Sequence, residues 1–224
     1  MDKYSSIRKA CEINDLVFDE IVADFHFKTE KEIASFILKR FRLLGVRSAF
    51  PPIVANNNQR IHPKPRKKKL ERGFLILDFG CRVNGYCSDM TRTLFLGKPS
   101  AAERRLYALV LKCQKKSIAR IKIGVSYKQL DADARKDLGG YKKYFVHSLG
   151  HGMGKKIHMK PRVSRKSEEY AKRGDCITIE PGVYWKRGEK RFGIRIEDTC
   201  YVGKKVEVLT KARKDFICLH LRNI

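Results

Sequence analysis

The strongest constraint on the fold is that the chain runs through one order of elements twice. An amphipathic stretch from about Ser5 to Ala23 precedes Thr29-Glu30-Lys31-Glu32, which has the form of a capping box. The apolar positions Ile33, Phe36, Ile37, Phe41 and Leu44 follow, and then Gly45. A second amphipathic stretch, from about Ser100 to Ile121, is itself opened by Ser100-x-x-Glu103. It precedes Ser126-Tyr127-Lys128-Gln129, the positions Leu130, Ala132, Ala134 and Leu138, and the pair Gly139-Gly140. In each case a hydroxyl can accept from free amides of the first turn, apolar residues make one stripe, and glycine permits a left-handed exit. Each half then enters a strand-rich region. Helix, helix, strand and hairpin, repeated, predicts two related halves, about 1–97 and 98–224, whose sheets combine into one curved sheet with helices outside.

The hairpins carry acids at matched places. Phe74-Leu75-Ile76-Leu77-Asp78-Phe79-Gly80 leads to Asn84-Gly85, the strongest short hairpin signal, and a return from Tyr86 to Leu96. A two-residue turn there sets Asp78 opposite Thr91, so Asp78 and Asp89 share a face as diagonal neighbours. Two carboxylates that close repel each other unless a cation lies between them. In the second half, Cys176-Ile177-Thr178-Ile179-Glu180 and Gly193-Ile194-Arg195-Ile196-Glu197 are joined through Lys186 to Lys190. A turn at Gly188-Glu189 makes Glu180 and Glu197 near-opposite on one face. Salt bridging to arginine could explain one such acid at the end of an apolar run. It does not explain four at matched positions, where an unpartnered charge is costly.

Between the hairpins, His147-Ser148-Leu149-Gly150-His151-Gly152-Met153-Gly154 reads as a tight glycine-rich loop that brings backbone close to a site, and it continues to His158. Three histidines in twelve residues point to metal or acid–base work. His62, in Arg60-Ile61-His62-Pro63, is a weaker candidate; His26 and His220 lack such a context and read as structural. Four carboxylates and an imidazole suit Mn, Fe, Co or Zn rather than a thiolate-type site. Five ligands so rich in carboxylate imply two divalent ions, manganese favoured, that activate a water and stabilise a tetrahedral intermediate. That chemistry is hydrolysis.

At 224 residues and 42% hydrophobic content the chain suits one domain, 1–224, with a sizeable core. No apolar run approaches the ~20 residues of a membrane span, and the polar N-terminus has no stretch suited to a signal peptide. The expectation is a cytoplasmic protein without a membrane partner. Seven scattered cysteines without a Cys-x-x-Cys pair read as reduced thiols, not zinc ligands. A net charge of +26 would attract nucleic acid or the ribosome surface. The densest run, Arg66-Lys67-Lys68-Lys69, comes without aromatic interleaving or a nucleic-acid motif and is better read as a solvated loop.

These residues resemble the pita-bread-fold metallopeptidases, a family that includes Xaa-Pro aminopeptidases, prolidases and methionine aminopeptidases. The likeness runs from the N-terminal helices through Val202. It rests on Leu77-Asp78-Phe79-Gly80, Asn84-Gly85-Tyr86-Cys87-Ser88-Asp89-Met90-Thr91-Arg92-Thr93, Gly150-His151-Gly152-Met153-Gly154, Thr178-Ile179-Glu180-Pro181-Gly182 and Gly193-Ile194-Arg195-Ile196-Glu197-Asp198. The resemblance implies an α+β pita-bread fold, with Asp78 on one metal, His151 and Glu180 on the other, and Asp89 and Glu197 bridging both. It implies a metal-bridging hydroxide as nucleophile and Glu180 as proton shuttle. His158 would meet the developing oxyanion, His62 the substrate amide or leaving group, and His147 the site wall. Arg195 would orient a bridging carboxylate and face the substrate.

The Ser-Asp-Met-Thr-Arg-Thr and Gly-Ile-Arg-Ile-Glu-Asp strings resemble the Xaa-Pro branch, and the Gln-x-Glu-His-Thr-like ending of methionine aminopeptidases is absent. A peptide substrate follows, and a homodimer is compatible. The alternatives are a methionine aminopeptidase, or a non-catalytic peptidase-fold module binding nucleic acid or acidic partners; retention of all five ligand positions disfavours the module. Three departures from the pattern stand out. The separate N-terminal domain of larger Xaa-Pro enzymes is not expected here. Met159 follows His158 where an acid is common, and Lys155 and Lys156 replace residues that are usually apolar and acidic or small.

Overall fold

The computed structural model of the chain describes residues 2–220. The first half opens with α1 (Lys3–Ala23) and α2 (Glu30–Leu43). Strands β1 (Arg47–Ser48), β2 (Ile53–Asn56), β3 (Gly73–Phe79), β4 (Cys81–Val83), β5 (Tyr86–Cys87) and β6 (Met90–Leu96) follow. The second half repeats the order with α3 (Ala101–Ala119), α4 (Tyr127–Asp137) and a 3-10 helix (Gly139–Tyr144). Its strands are β7 (Gly150–Gly152), β8 (Met159–Val163), β9 (Cys176–Ile179), β10 (Gly182–Arg187), β11 (Lys190–Arg195), β12 (Asp198–Val202), β13 (Val206–Val208) and β14 (Cys218–Leu219).

The helix ends show which local signals act. Helix α1 starts earlier than its apolar pattern, because the Asp2 carboxylate accepts from the Ser5 amide at 2.8 Å and caps it. Of the three expected capping boxes, only Ser100 with Glu103 is reciprocal. Thr29 accepts from the Glu32 amide, but the Glu32 carboxylate reaches past Thr29 to the Lys28 amide at 2.8 Å. Ser126 accepts from the Gln129 amide, while the Gln129 side chain turns along the helix to donate to Asp133. Gly139, at φ 54°, passes α4 into the 3-10 helix and does not end helical structure there.

Hydrogen bonding divides the strand layer into four sheets. One sheet, β14-β6-β3-β2, joins three strands of the first half to β14 of the second; the second half forms β13-β12-β9-β7-β8, and β10-β11 and β1-β4-β5 complete the set. Pairing is antiparallel except where β14, from the end of the chain, returns to lie parallel to β6. Helices α1 and α2 cover the first sheet, with Phe18, Ile37 and Phe41 packed among Leu75, Leu77 and Phe79. Helices α3 and α4 do the same in the second half, with Val110 and Leu130 among Ile177 and Ile179. Each such side chain contributes about 1.5–3 kcal/mol of apolar burial, and helix packing holds the strand ends in place. No helix among the described residues is long and apolar enough to cross a membrane.

Two local readings change. The segment around His151, expected as a loop, is strand β7, paired with both β8 and β9. Its glycines are required by crowding: a Cβ on Gly150 would collide with the Thr178 carbonyl, and one on Gly152 with the Lys160 carbonyl. The second hairpin also divides. Strand β10 pairs with β11 around Gly188, while β9 pairs with β12, Ile179 facing Asp198. Pro181, which has no amide hydrogen to donate, lies between the two ladders.

Candidate metal centre

The turn at Asn84-Gly85 has φ of 50° and 80°, the left-handed pair that a tight two-residue hairpin requires. It fixes the register so that Asp78 lies opposite Thr91, and Asp78 and Asp89 share one face. In the second half, either ladder, continued across Pro181, sets Glu180 opposite Glu197. The halves are stitched together here. The Glu197 amide donates to the Thr91 carbonyl at 3.0 Å, Thr91 Oγ1 donates to Glu197 Oε2 at 2.6 Å, and Thr93 Oγ1 donates to the Arg195 carbonyl at 2.7 Å.

A cavity of about 820 Å³ opens over this seam. His62, Asp78, Asp89, His147, His151, His158, Glu180 and Glu197 all line it. One ligand atom each from Asp89, His151 and Glu197 falls within 4.8 Å of the others. His151 Nε2 lies 3.6 Å from both Asp89 Oδ2 and Glu180 Oε1. That is too long for hydrogen bonds and close to the ~3.4 Å that separates two ligand atoms sharing one ion. His151 Nδ1 donates to the Gly152 carbonyl at 3.1 Å, which leaves the Nε2 lone pair facing the carboxylates.

The electrostatics point the same way. Burial, then repulsion from Glu197, Asp78 and Glu180, raises the Asp89 pKa well above the ordinary carboxylate range. Burial and Glu197 do the same to Glu180, and burial with Asp78 pushes Glu197 up to about 8. Burial lowers His151 to about 4 and His147 to about 3, so both rings are neutral at pH 7. Asp78 Oδ1 is buried without a hydrogen-bond partner. Crowded oxygens, an unused acceptor and a neutral imidazole lone pair fit divalent cations.

Arg195 departs from the role expected of it. It is 1% exposed and is not among the residues that line the cavity. Its Nη2 pairs with Asp78 Oδ2, and its Nε donates to Thr91 Oγ1 at 3.1 Å, reaching Glu197 only through that hydroxyl. The carboxylate it orients directly is therefore Asp78, one not expected to bridge. Arg195 Nη1 also donates to Tyr184 Oη at 2.5 Å, and Tyr184 Oη lies 3.0 Å from His147 Nε2. Tyr184 is a site residue that sequence reasoning missed. Its only signal was its place two residues beyond Gly182 on a strand leaving Glu180. His147 is further fixed by Nδ1 donating to the Ser148 carbonyl at 2.8 Å.

The remaining candidates sort by position. The His158 ring is exposed and meets the His151 ring edge-on at 4.3 Å. His62 also has an exposed face, while the atoms packed around the rest of the ring desolvate it and, with Arg195 nearby, lower its pKa. His26 and His220 lie away from the cavity. Lys155 and Lys156 are exposed and are not among the residues that line it. Met159 does line it, together with Lys64, Lys160 and Arg162, which the sequence reading passed over. For Lys160 and Arg162 the signal was their alternation along β8 in step with His158 just before it.

Comparison with known proteins agrees with this geometry. The sequence pattern of metallopeptidase family M24 matches residues 5–204. The Xaa-Pro dipeptidase of Pyrococcus furiosus is 37% identical over 219 residues, covering 94% of this chain and 62% of its own length. The prolidase of Thermococcus sibiricus superposes with a TM-score of 0.92 at 35% identity, over 97% of this chain and 61% of that one. The X-Pro aminopeptidase of Thermotoga maritima gives 0.91 at 34% identity, over 97% and 63%. The chain thus spans about three-fifths of the length of these relatives.

Proposed function

The chain belongs to metallopeptidase family M24 and has its pita-bread fold, and from that premise we propose that it is a dinuclear aminopeptidase cleaving Xaa-Pro bonds. The observation that carries the proposal is the meeting of Asp89, His151 and Glu197 within 4.8 Å on the floor of a cavity that Glu180 and Asp78 also line. In this reading Asp78, Asp89, His151, Glu180 and Glu197 hold two divalent ions, Mn(II) favoured. When bound, the ions supply an activated water and Lewis-acid polarisation of the scissile carbonyl.

The chain's own residues do the rest. Thr178 Oγ1 lies 3.3 Å from Glu180 Oε1 and donates to it, which holds that carboxylate where it can carry a proton from nucleophile to leaving amine. His158, on the exposed side of His151, donates to the carbonyl oxygen as charge develops there. His62, which also lines the cavity, faces the leaving side of the bond. His147, fixed by Ser148 and Tyr184, shapes the wall. Phe50, Pro52 and Ile53 give the cavity an apolar surface suited to a prolyl ring. The names of the relatives support the Xaa-Pro assignment, and seven unpaired cysteines, six of them buried, support action in a reducing cytoplasm.

The test is metal analysis together with turnover of Ala-Pro, Ala-Pro-Ala and Met-Ala-Ala by protein loaded with Mn(II) or Co(II). Cleavage of the prolyl substrates, lost in Asp89→Asn, is expected. Cleavage of Met-Ala-Ala alone would transfer the assignment to the methionine branch. No bound metal and no turnover would end it.

A further inference from the structure

The charge of the cavity changes sign from floor to mouth. The floor carries Asp78, Asp89, Glu180 and Glu197, a set that divalent ions neutralise. The wall also includes Lys64 on the segment after β2 and Lys160 and Arg162 on β8. All three are exposed, and no described carboxylate lies within 4.0 Å of their charged atoms. Glu169, the acid bonded nearby, accepts from the Arg162 backbone amide and not from its guanidinium. Among the described residues, then, no acid pairs with these cations. Their backbones are nonetheless held: Lys64 stands between Pro63 and Pro65, and Lys160 and Arg162 flank Pro161 on a strand. Unpaired cations on restrained backbone around an opening act on what enters it.

We propose that Lys64, Lys160 and Arg162 form a carboxylate-selecting rim, which favours peptides with Asp or Glu side chains beyond the scissile bond. The inference rests on the hydrolase reading in one respect: the N-terminus lies on the floor, so the residues that follow the cleaved bond run outwards past the rim. Polynucleotide is the poorer fit. The cations converge on one opening, and half-buried Phe50 is the only Phe, Tyr or Trp ring on the described wall, so the stacking platform that single strands require is missing.

The test uses the full chain loaded with Mn(II) and three amidated tetrapeptides that begin Ala-Pro and continue with Glu-Glu, Ala-Ala or Lys-Lys. At low ionic strength kcat/KM should be about three- to tenfold higher for Glu-Glu than for Ala-Ala, and lower again for Lys-Lys. Salt should compress the series. Lys64→Glu combined with Lys160→Glu should reverse the order. Lys115→Glu combined with Lys142→Glu changes net charge equally at exposed sites away from the cavity and should keep it. The free-acid peptides measure the terminal carboxylate separately. Equal kcat/KM across the series, or equal effects of the two double variants, overturns the rim and leaves the hydrolase intact. No turnover of these peptides while Ala-Pro is still cleaved overturns the rim and leaves the hydrolase as a dipeptidase. No turnover of Ala-Pro either overturns the hydrolase, and the rim is then judged by fluorescence anisotropy of the same peptides, labelled, with the same order expected. Short RNA that binds more tightly than the Glu-Glu peptide and displaces it also overturns the rim.

Discussion

Removing divalent metal should make the fold increasingly unstable as pH rises from about 6.5 to about 8. In the metal-free chain Asp89, Glu180 and Glu197 all have folded pKa values raised above their unfolded ones, through burial and mutual repulsion. A raised folded pKa gives a contribution that is fully present below the unfolded value and lost as pH climbs through the folded value. For Glu197 the loss runs from 4.5 to about 8. His147 and His151, lowered to about 3 and about 4, act the other way, because the unfolded chain takes up protons first as pH falls below 6.5. The histidines oppose the carboxylates below 6.5 and drop out above it. In the window from about 6.5 to about 8, Glu197 alone costs roughly 2 kcal/mol at ~1.4 kcal/mol per pH unit. For a chain of this size that is a fall in Tm of about 4–8 °C, and Asp89 and Glu180 add to it. The assay is thermal unfolding by circular dichroism of chelator-dialysed protein across that window, repeated with saturating Mn(II). Metal binds the deprotonated ligands and should abolish or reverse the slope. A metal-free Tm that is flat or rises with pH would refute the argument that these carboxyls crowd one another.

Two further outcomes follow from packing. Gly150→Ala drives a methyl group into the Thr178 backbone of the neighbouring strand, and should cost about 1–3 kcal/mol in urea unfolding, with weaker metal retention because Thr178 Oγ1 also accepts the His151 amide. Asp198→Asn removes a buried charge that accepts from Arg92, Gln114, Thr210 and Lys214, and should destabilise the fold by about 3–5 kcal/mol in the same measurement.

What the sequence discloses and what it hides follow from the range of the forces involved. Asp78, Asp89, Glu180 and Glu197 were legible because a two-residue turn and period-two alternation propagate register along a strand without help from the rest of the fold. The helix starts were legible as hydroxyl caps, but the return bonds of Glu32 and Gln129 were not, since neighbouring residues offered better partners. β7 reads as a loop because glycine density is the same signal whether backbone turns or passes close to another strand. Tyr184 and the true partner of Arg195 were hidden because their bonds join two halves of the chain, and no local pattern encodes that contact.

The stitching at Thr91 and Glu197 joins residues 106 apart in sequence. An ion held between Asp89 and Glu197 would tie the same two halves at the same place, closing a loop of comparable length in every conformation that keeps it bound. Closing loops of this size removes configurational freedom from the unfolded chain, an effect that grows only slowly with length. The candidate centre would thus act as a clasp as well as a reagent. Loss of its ions would leave the seam to the Thr91–Glu197 and Thr93–Arg195 hydrogen bonds alone.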